Sequence, residues 1–137
     1  MVCIYCDSKT KTAVVNSRAS ASAQTTWRRR NCKHCTGVFT TREHIELETA
    51  LRVQSATNGL QPFLRDRLFL DVYNSVSHRK TALSDSTKLT DTIIGALISL
   101  HTGGILSTAL IITTTRATLK RFDPAAGVYY AAHHSNH

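Results

Sequence analysis

Four cysteines, arranged as two matched pairs, are the residues with the clearest chemical potential in this chain. Cys3 and Cys6 form one Cys-x-x-Cys pair, Cys32 and Cys35 form the other, and 25 residues separate them. Two residues between cysteines make a tight turn that points both sulfurs at one ion, and two such turns supply the tetrahedral shell that zinc prefers. Four thiolates leave no position for water, so the spacing predicts a structural Zn²⁺ ion rather than a catalytic one.

The alternatives to a metal are disulfides, free buried cysteines and a redox pair. Disulfides need an oxidising compartment, and the N-terminus shows no signal-peptide pattern. A redox pair normally stands alone after a strand, which argues against two matched pairs. His34 or His44 could replace a thiolate, although four cysteines already complete the shell. Zinc would also supply the folding free energy that a segment of about 45 residues cannot obtain from apolar burial.

The positive charge lies at the same end as the cysteines. The 137 residues carry a formal net charge of +8, with 42% hydrophobic and 19% charged residues, a composition typical of a globular chain. Residues 1–42 contain eight basic side chains and one acidic side chain, whereas residues 43–137 are nearly neutral. The N-terminal segment is therefore expected to bind a polyanion. No apolar stretch approaches the ~20 residues of a membrane span, so a membrane partner is not expected.

Three adjacent arginines precede the second cysteine pair directly. On a strand, Arg28 and Arg30 share one face, and Arg29 takes the other face with Trp27. The planar fork of arginine suits both phosphates and guanine edges. The segment therefore favours a nucleic-acid surface over a charge run that merely keeps the chain soluble, and DNA and RNA both remain open. Few aromatic residues lie nearby, which argues against a platform for stacking single strands.

Strands and a hairpin are predicted around these residues. Residue types indicate short strands over 12–17, 25–30 and 37–41, which with two metal turns make a zinc ribbon. Further along, the turn residues Asn58 and Gly59 stand between 51–55 and 60–63 and predict a β-hairpin.

Four helices are predicted after the hairpin. Helical spacing of apolar residues covers 66–78 and a second segment that begins near Ser84. Residues 107–122 are ambiguous between strand and helix, and we favour helix. Asp123 is a good N-cap for a last helix. The predicted fold is α+β: a zinc ribbon over residues 1–46, and a β-hairpin followed by a four-helix bundle over residues 47–137.

These motifs resemble the NrdR family, whose members combine a zinc ribbon with an ATP-cone and repress bacterial ribonucleotide reductase genes. The resemblance is strongest over residues 1–43. There it rests on the two cysteine pairs and on segments 14–18, 28–35 and 38–43. A weaker resemblance continues over 53–63, 63–68 and 123–132. The second domain is accordingly expected to be an ATP-cone that binds nucleotide and mediates oligomerisation.

The resemblance implies a zinc-dependent, nucleotide-responsive repressor that binds double-stranded operator DNA and is not an enzyme. It implies ATP or dATP as regulatory ligands, assembly into a homo-oligomer, and a place in the bacterial cytoplasm with the nucleoid. The residues expected to contact DNA are Arg18, Arg28, Arg29, Arg30, Thr40 and Thr41. The residues expected to contact nucleotide are Val53, Ser55, Arg65, Arg67 and Tyr129.

The second domain departs from the family at its phosphate contacts. After its first hairpin valine the family has a Lys-Arg pair that faces the nucleotide phosphates, and the corresponding residues here are Gln54, Ser55 and Ala56. Tyr129 replaces an arginine of the closing motif. The alternative hypothesis is therefore a DNA-binding protein whose helical domain only oligomerises and no longer binds nucleotide. A zinc ribbon that binds RNA is a second alternative.

Overall fold

The computed structural model describes residues 1–9, 12–20 and 25–134. The chain forms two compact units, an N-terminal unit (Met1–Ile45) and a C-terminal unit (Glu46–His137). The described strands are β1 Ala13–Ala19, β2 Thr25–Asn31, β3 Val38–His44, β4 Arg52–Ser55, β5 Gly59–Pro62 and β6 Ile105–Ser107. The described helices are α1 Leu47–Ala50, α2 Arg65–Val76, α3 Ala82–Leu100, α4 Thr108–Phe122 and α5 Pro124–His133. The predicted α+β class, with a β-rich ribbon followed by a helical region, is confirmed.

The N-terminal unit is built on an antiparallel sheet with the strand order β1-β2-β3. The strand β2 lies in the centre, where Arg29 is opposite both Asn16 of β1 and Thr40 of β3. A bulge between Val14 and Asn16 shifts the register of β1 by one residue. Because directly opposite residues of an antiparallel pair share a face, this register decides which arginines stand together.

The C-terminal unit contains a second sheet, with the strand order β5-β4-β6. The predicted hairpin is confirmed, with Ser55 opposite Gly59 across the turn. The third strand, β6, pairs in parallel with β4 and was not predicted. Two glycines with positive φ, Gly103 and Gly104, turn the chain into β6. A Cβ at Gly104 would lie 3.0 Å from the carbonyl oxygen of Ala50, so a larger residue would press against that backbone.

The helices follow the predicted order, with a short additional helix, α1, before the hairpin. The ambiguous segment is the helix α4, where the Ser107 hydroxyl accepts a hydrogen bond from the Leu110 amide at 3.1 Å. The Asp123 carboxylate caps α5 in the predicted way and accepts from the Ala125 amide at 2.9 Å. Since both caps use local side chains, both helix starts are encoded in the adjoining sequence.

The core of the C-terminal unit lies between these helices and the second sheet. Its fully buried apolar side chains come from five different elements and include Val72, Ile93, Leu106, Leu119 and Ala126. Tyr130 of α5 completes this core with 2% of its surface exposed. In the described part of the chain, every helix is too short or too polar to span a membrane.

Candidate functional site

The four cysteines form one cluster in the N-terminal unit. Their sulfur atoms all lie within 4.8 Å of one another. The Sγ atoms of Cys3 and Cys35 are 3.6 Å apart, and those of Cys6 and Cys32 are 3.8 Å apart. A tetrahedron of Zn–S bonds of about 2.3 Å has S···S edges of about 3.8 Å, so this arrangement fits a zinc ion. The donor set and its geometry therefore support a structural Zn²⁺ site.

Each cysteine pair is shaped by the same local turn. In the first turn the Asp7 amide donates to the Cys3 carbonyl at 3.1 Å, and in the second the Thr36 amide donates to the Cys32 carbonyl at 3.0 Å. Asp7 and Thr36 both have a positive φ, of 50° and 59°. Such values are uncommon for residues with a side chain. The two turns thus repeat one geometry, and each aims two sulfurs at the same point.

Backbone amides, burial and the neighbouring thiols together give the sulfurs unequal pKa values. Amide groups of Cys35 and His34 donate to the Cys32 sulfur and lower the pKa of this thiol to about 6. At Cys6 an amide of Ser8 acts in the same direction, but burial and three neighbouring thiols outweigh it and raise the pKa to about 12. Four thiolates this close repel one another, so a cation is needed to hold all four deprotonated.

Tyr5 joins the two cysteine turns. Its hydroxyl donates to the Val38 carbonyl at 3.1 Å, and its ring lies edge-on to Phe39 at a centroid distance of 6.3 Å. A Cβ at Gly37 would lie 2.5 Å from the Tyr5 ring. Glycine is required there because the ring fills the space of a side chain.

One face of the first sheet carries arginines that have no acidic partner among the described residues. Following the register, Arg18 is opposite Trp27, and Trp27 is opposite Arg42. We call this the open face, and its residues are Asn16, Arg18, Trp27, Arg29, Thr40 and Arg42. Arg18, Arg29 and Arg42 are exposed, and among the described residues no acidic side chain lies within ion-pair distance of them.

The opposite face uses its arginines internally. The Arg28 guanidinium is 3.0 Å from the Glu43 carboxylate, and Arg30 Nε donates to the Thr41 hydroxyl at 3.0 Å. Phe39 is opposite Arg30 and packs against the cysteine cluster. We call this the packed face, and its residues are Ser17, Arg28, Arg30, Phe39, Thr41 and Glu43.

The six residues expected to contact DNA are thus divided between two faces. Arg18, Arg29 and Thr40 lie on the open face, and the other three lie on the packed face. The strand β2 shows the predicted alternation of faces, with Arg28 and Arg30 on one face and Arg29 on the other. Trp27 was placed on the face of Arg29 but was not expected to contact DNA, and Arg42 was missed as a member of the same surface. Arg42 is brought there by strand pairing, which the sequence does not display.

A cavity of about 260 Å³ lies in the C-terminal unit. The hairpin β4–β5, the start of α2, the helix α4 and the end of α5 line it. Of the residues expected to contact nucleotide, Val53, Ser55 and Arg67 line this cavity. Arg65 is instead bound to Asp91 of α3 at 2.8 Å, and Tyr129 stacks on His133 at 4.1 Å. The neighbouring Tyr130 lines the cavity.

Three side chains that line this cavity contact one another in series. The His134 ring stacks on Tyr130 at a centroid distance of 4.1 Å, and its Nε2 lies 3.6 Å from the Asp71 carboxylate. Burial raises the pKa of the Tyr130 hydroxyl to about 12, so this group stays neutral. The cavity thus combines an aromatic wall with charges of both signs.

Fold and site together define a zinc-ribbon protein whose second unit is a helical domain with a cavity beneath a hairpin. Residues 1–43 match the family model described as the N-terminal domain of NrdR-like transcriptional repressors. The transcriptional repressor NrdR of Limosilactobacillus reuteri is 30% identical over 132 residues, which covers 96% of this chain and 84% of that protein. The NrdR of Mesorhizobium japonicum is 30% identical over 138 residues, covering 99% and 84%. The NrdR of Halorubrum lacusprofundi is 29% identical over 122 residues, covering 89% and 74%.

The chain belongs to the NrdR family of transcriptional repressors. The resemblance inferred from the motifs is confirmed. These relatives are named as regulators of transcription and not as enzymes, which confirms the expectation of a non-enzyme.

Proposed function

We propose that this chain is a zinc-dependent repressor that binds double-stranded operator DNA of ribonucleotide reductase genes through the open face. The observation that carries the proposal is a set of three exposed arginines on one side of a sheet that adjoins four clustered cysteines. In the part of the chain that the structure describes, these arginines have no acidic partner. Unpaired arginines neutralise phosphates without first breaking a contact within the protein. The packed face has already used Arg28 on Glu43, and so has less charge to offer.

The C-terminal unit is proposed to bind ATP or dATP and to form a homo-oligomer in response. Val53, Ser55 and Arg67 lie around one cavity and support a ligand site there. The bound nucleotide would alter how subunits pack and so decide whether several ribbons can engage one DNA molecule. Linked binding of this kind raises affinity by about 10²–10⁴-fold, which is enough for a switch. The protein would act where the DNA is, in the cytoplasm with the nucleoid.

The DNA proposal is tested by fluorescence anisotropy with a duplex taken from upstream of ribonucleotide reductase genes. A scrambled duplex and an RNA duplex of the same length are the controls, all at one salt concentration. We expect preferential binding to the operator duplex, and loss of that binding when a chelator removes zinc. Equal binding to the RNA duplex would contradict the proposal and favour an RNA-binding ribbon.

A second candidate function is a DNA-binding protein whose C-terminal unit only oligomerises. The composition of the cavity lining favours this candidate. Of the described residues that line the cavity, Arg67 is the single arginine or lysine. Calorimetry with ATP and dATP separates the two candidates. Saturable binding eliminates the second, and an absence of heat with both nucleotides, together with intact DNA binding, favours it.

A further inference from the structure

The cavity in the C-terminal unit is poor in positive charge. Arg67, at the start of α2, is the only arginine or lysine that lines it in the described part of the chain. The carboxylate of Asp71 lies one helical turn further along α2 and also lines the cavity. His134 is the remaining ionisable nitrogen base, and it already faces Asp71 at 3.6 Å. A ligand with several negative charges would therefore meet one free cation and one carboxylate.

The other arginine at the start of the same helix does not line the cavity. Arg65 is two residues from Arg67, so its side chain leaves α2 on a different side. Its guanidinium is bound to Asp91 of α3 at 2.8 Å, and it is absent from the cavity lining. Arg65 therefore adds no positive charge to the lining of the cavity.

The rest of the lining suits a flat, uncharged group. Apolar side chains of Ile111 and Ile112 on α4, of Leu64 and Leu68 around α2, and the ring of Tyr130 line the cavity. The hairpin contributes the amides of Asn58 and Gln61, which can hydrogen-bond to the edges of a base. Polar and apolar groups thus share the lining about equally, so a base could pack on the apolar side chains while its edges form hydrogen bonds.

The cavity is also small. Its volume of about 260 Å³ is below the range of about 300–1,000 Å³ that is usual for sites of drug-sized ligands. A nucleoside with one phosphate needs less room and carries less charge than a triphosphate. Of these two differences, the charge of the lining is the one that favours the smaller ligand.

We propose that this cavity takes a purine nucleoside carrying no more than one phosphate, with Arg67 as the phosphate contact, and that further phosphates add no affinity. This inference rests on the proposed function of the C-terminal unit as a nucleotide-binding unit, and it names a different member of that ligand class as the preferred one. A regulator of this kind would respond to the members of the adenine nucleotide pool that carry the fewest phosphates.

Titration calorimetry of the full zinc-loaded chain with adenosine, AMP and ATP, at one Mg²⁺ concentration, tests the inference. We expect AMP to bind at least as tightly as ATP, and Arg67→Gln to weaken AMP while leaving adenosine unchanged. Binding of ATP more than about tenfold tighter than AMP, a difference of about 1.4 kcal/mol, would overturn the inference. An absence of binding by all three ligands would overturn it together with the ligand part of the proposed function, while DNA binding is measured separately on the same preparation.

A pair of variants in β4 tests the shortage of charge directly. Ser55 lines the cavity, whereas the adjacent Gln54 points to the other side of the strand and does not. Ser55→Arg is expected to raise the affinity for ATP by tenfold or more and the affinity for adenosine hardly at all, since about 1.4 kcal/mol is a tenfold change. Gln54→Arg, which adds the same charge on the opposite face, is the matched control. Equal effects of the two variants, or none from Ser55→Arg, would overturn the inference.

Discussion

Arg28 and Arg29 are adjacent in the chain but lie on opposite faces of the first sheet. Arg28 is bound to Glu43 at 3.0 Å, whereas Arg29 stands opposite Thr40 on the open face with no acidic partner among the described residues. The two side chains have the same charge and nearly the same position along the strand. Because they differ mainly in the face they occupy and in their pairing, substituting each in turn shows which face binds DNA.

Arg42 is expected to contribute to DNA binding although it lies outside the arginine run. It stands opposite Trp27 on the open face and is exposed. Loss of one phosphate contact should weaken binding about equally for all sequences and reduce the salt slope by about 1. Arg42→Ala is therefore predicted to lower both affinity and salt slope in anisotropy titrations at several salt concentrations. Lys33→Ala, which removes an exposed charge from a cysteine turn instead, is the control, and an equal loss in both would contradict the assignment.

Cys32→Ala is expected to release zinc and unfold the N-terminal unit while the helices remain. Cys32 is fully buried in the cluster, and three thiolates cannot complete the shell. Metal content by atomic absorption should fall, and DNA binding should be lost, with little change in helical circular dichroism because all described helices lie in the C-terminal unit. His34→Ala, at an exposed residue of the same turn, should keep its zinc. A metal-free Cys32→Ala protein that still binds DNA would contradict a structural role for zinc.

Gly127→Ala is expected to destabilise the C-terminal unit. A Cβ at this position of α5 would lie 2.9 Å from both Cα and Cβ of Lys120 on α4, and a backbone atom cannot move aside cheaply. Overpacking of this kind costs about 1–3 kcal/mol, which exceeds the helix propensity of about 1 kcal/mol that alanine gains over glycine. Thermal denaturation followed by circular dichroism should show a lower melting temperature. Val128→Ala, at the adjacent exposed residue, should change it little, and a Gly127→Ala protein as stable as the parent would contradict the close approach.

Acid is expected to weaken the junction between α4 and α5. Hydrogen bonding from His78 and from the Ala125 amide lowers the pKa of the Asp123 carboxyl below its ordinary value. The ionised carboxylate therefore stabilises the fold at pH above about 4, and this stabilisation is lost as the pH falls through the lowered pKa.

Asp123→Asn tests this acid effect because asparagine keeps the N-cap but does not titrate. The variant should melt at a lower temperature near neutral pH and lose less stability than the parent between about pH 5 and pH 3. Asp66→Asn, at an exposed carboxylate of α2, is the control. If Asp123→Asn and the parent lose stability in parallel, Asp123 is not the titrating group.

Local features of this protein could be predicted from the sequence, because the residues that produce them are neighbours. The two cysteine turns and the Asp123 cap each use side chains within a few residues. The strand β6 could not be predicted in this way. It has three residues and is formed by pairing with β4, about fifty positions earlier, which no local pattern can display.

The nucleotide residues illustrate the same limit on a helix. Arg65 and Arg67 are near neighbours in sequence, but they leave α2 in different directions, and only Arg67 reaches the cavity. Tyr129 and Tyr130 are consecutive, yet Tyr130 lines the cavity while Tyr129 stacks on His133. To assign a contact residue from a family motif, one must know which side of the helix each position faces, because an error of one position selects a different side. Packing of the core sets that orientation.

The most direct test of the central claim compares Arg29→Ala with Arg28→Ala in operator binding by fluorescence anisotropy. The two variants lose the same charge from consecutive residues of β2, so net charge cannot explain a difference between them. The open face predicts that Arg29→Ala weakens binding by about 1–3 kcal/mol, roughly 5- to 150-fold, and that Arg28→Ala has a much smaller effect. A loss of affinity in Arg28→Ala equal to or larger than that in Arg29→Ala would contradict the open face as the DNA-binding surface.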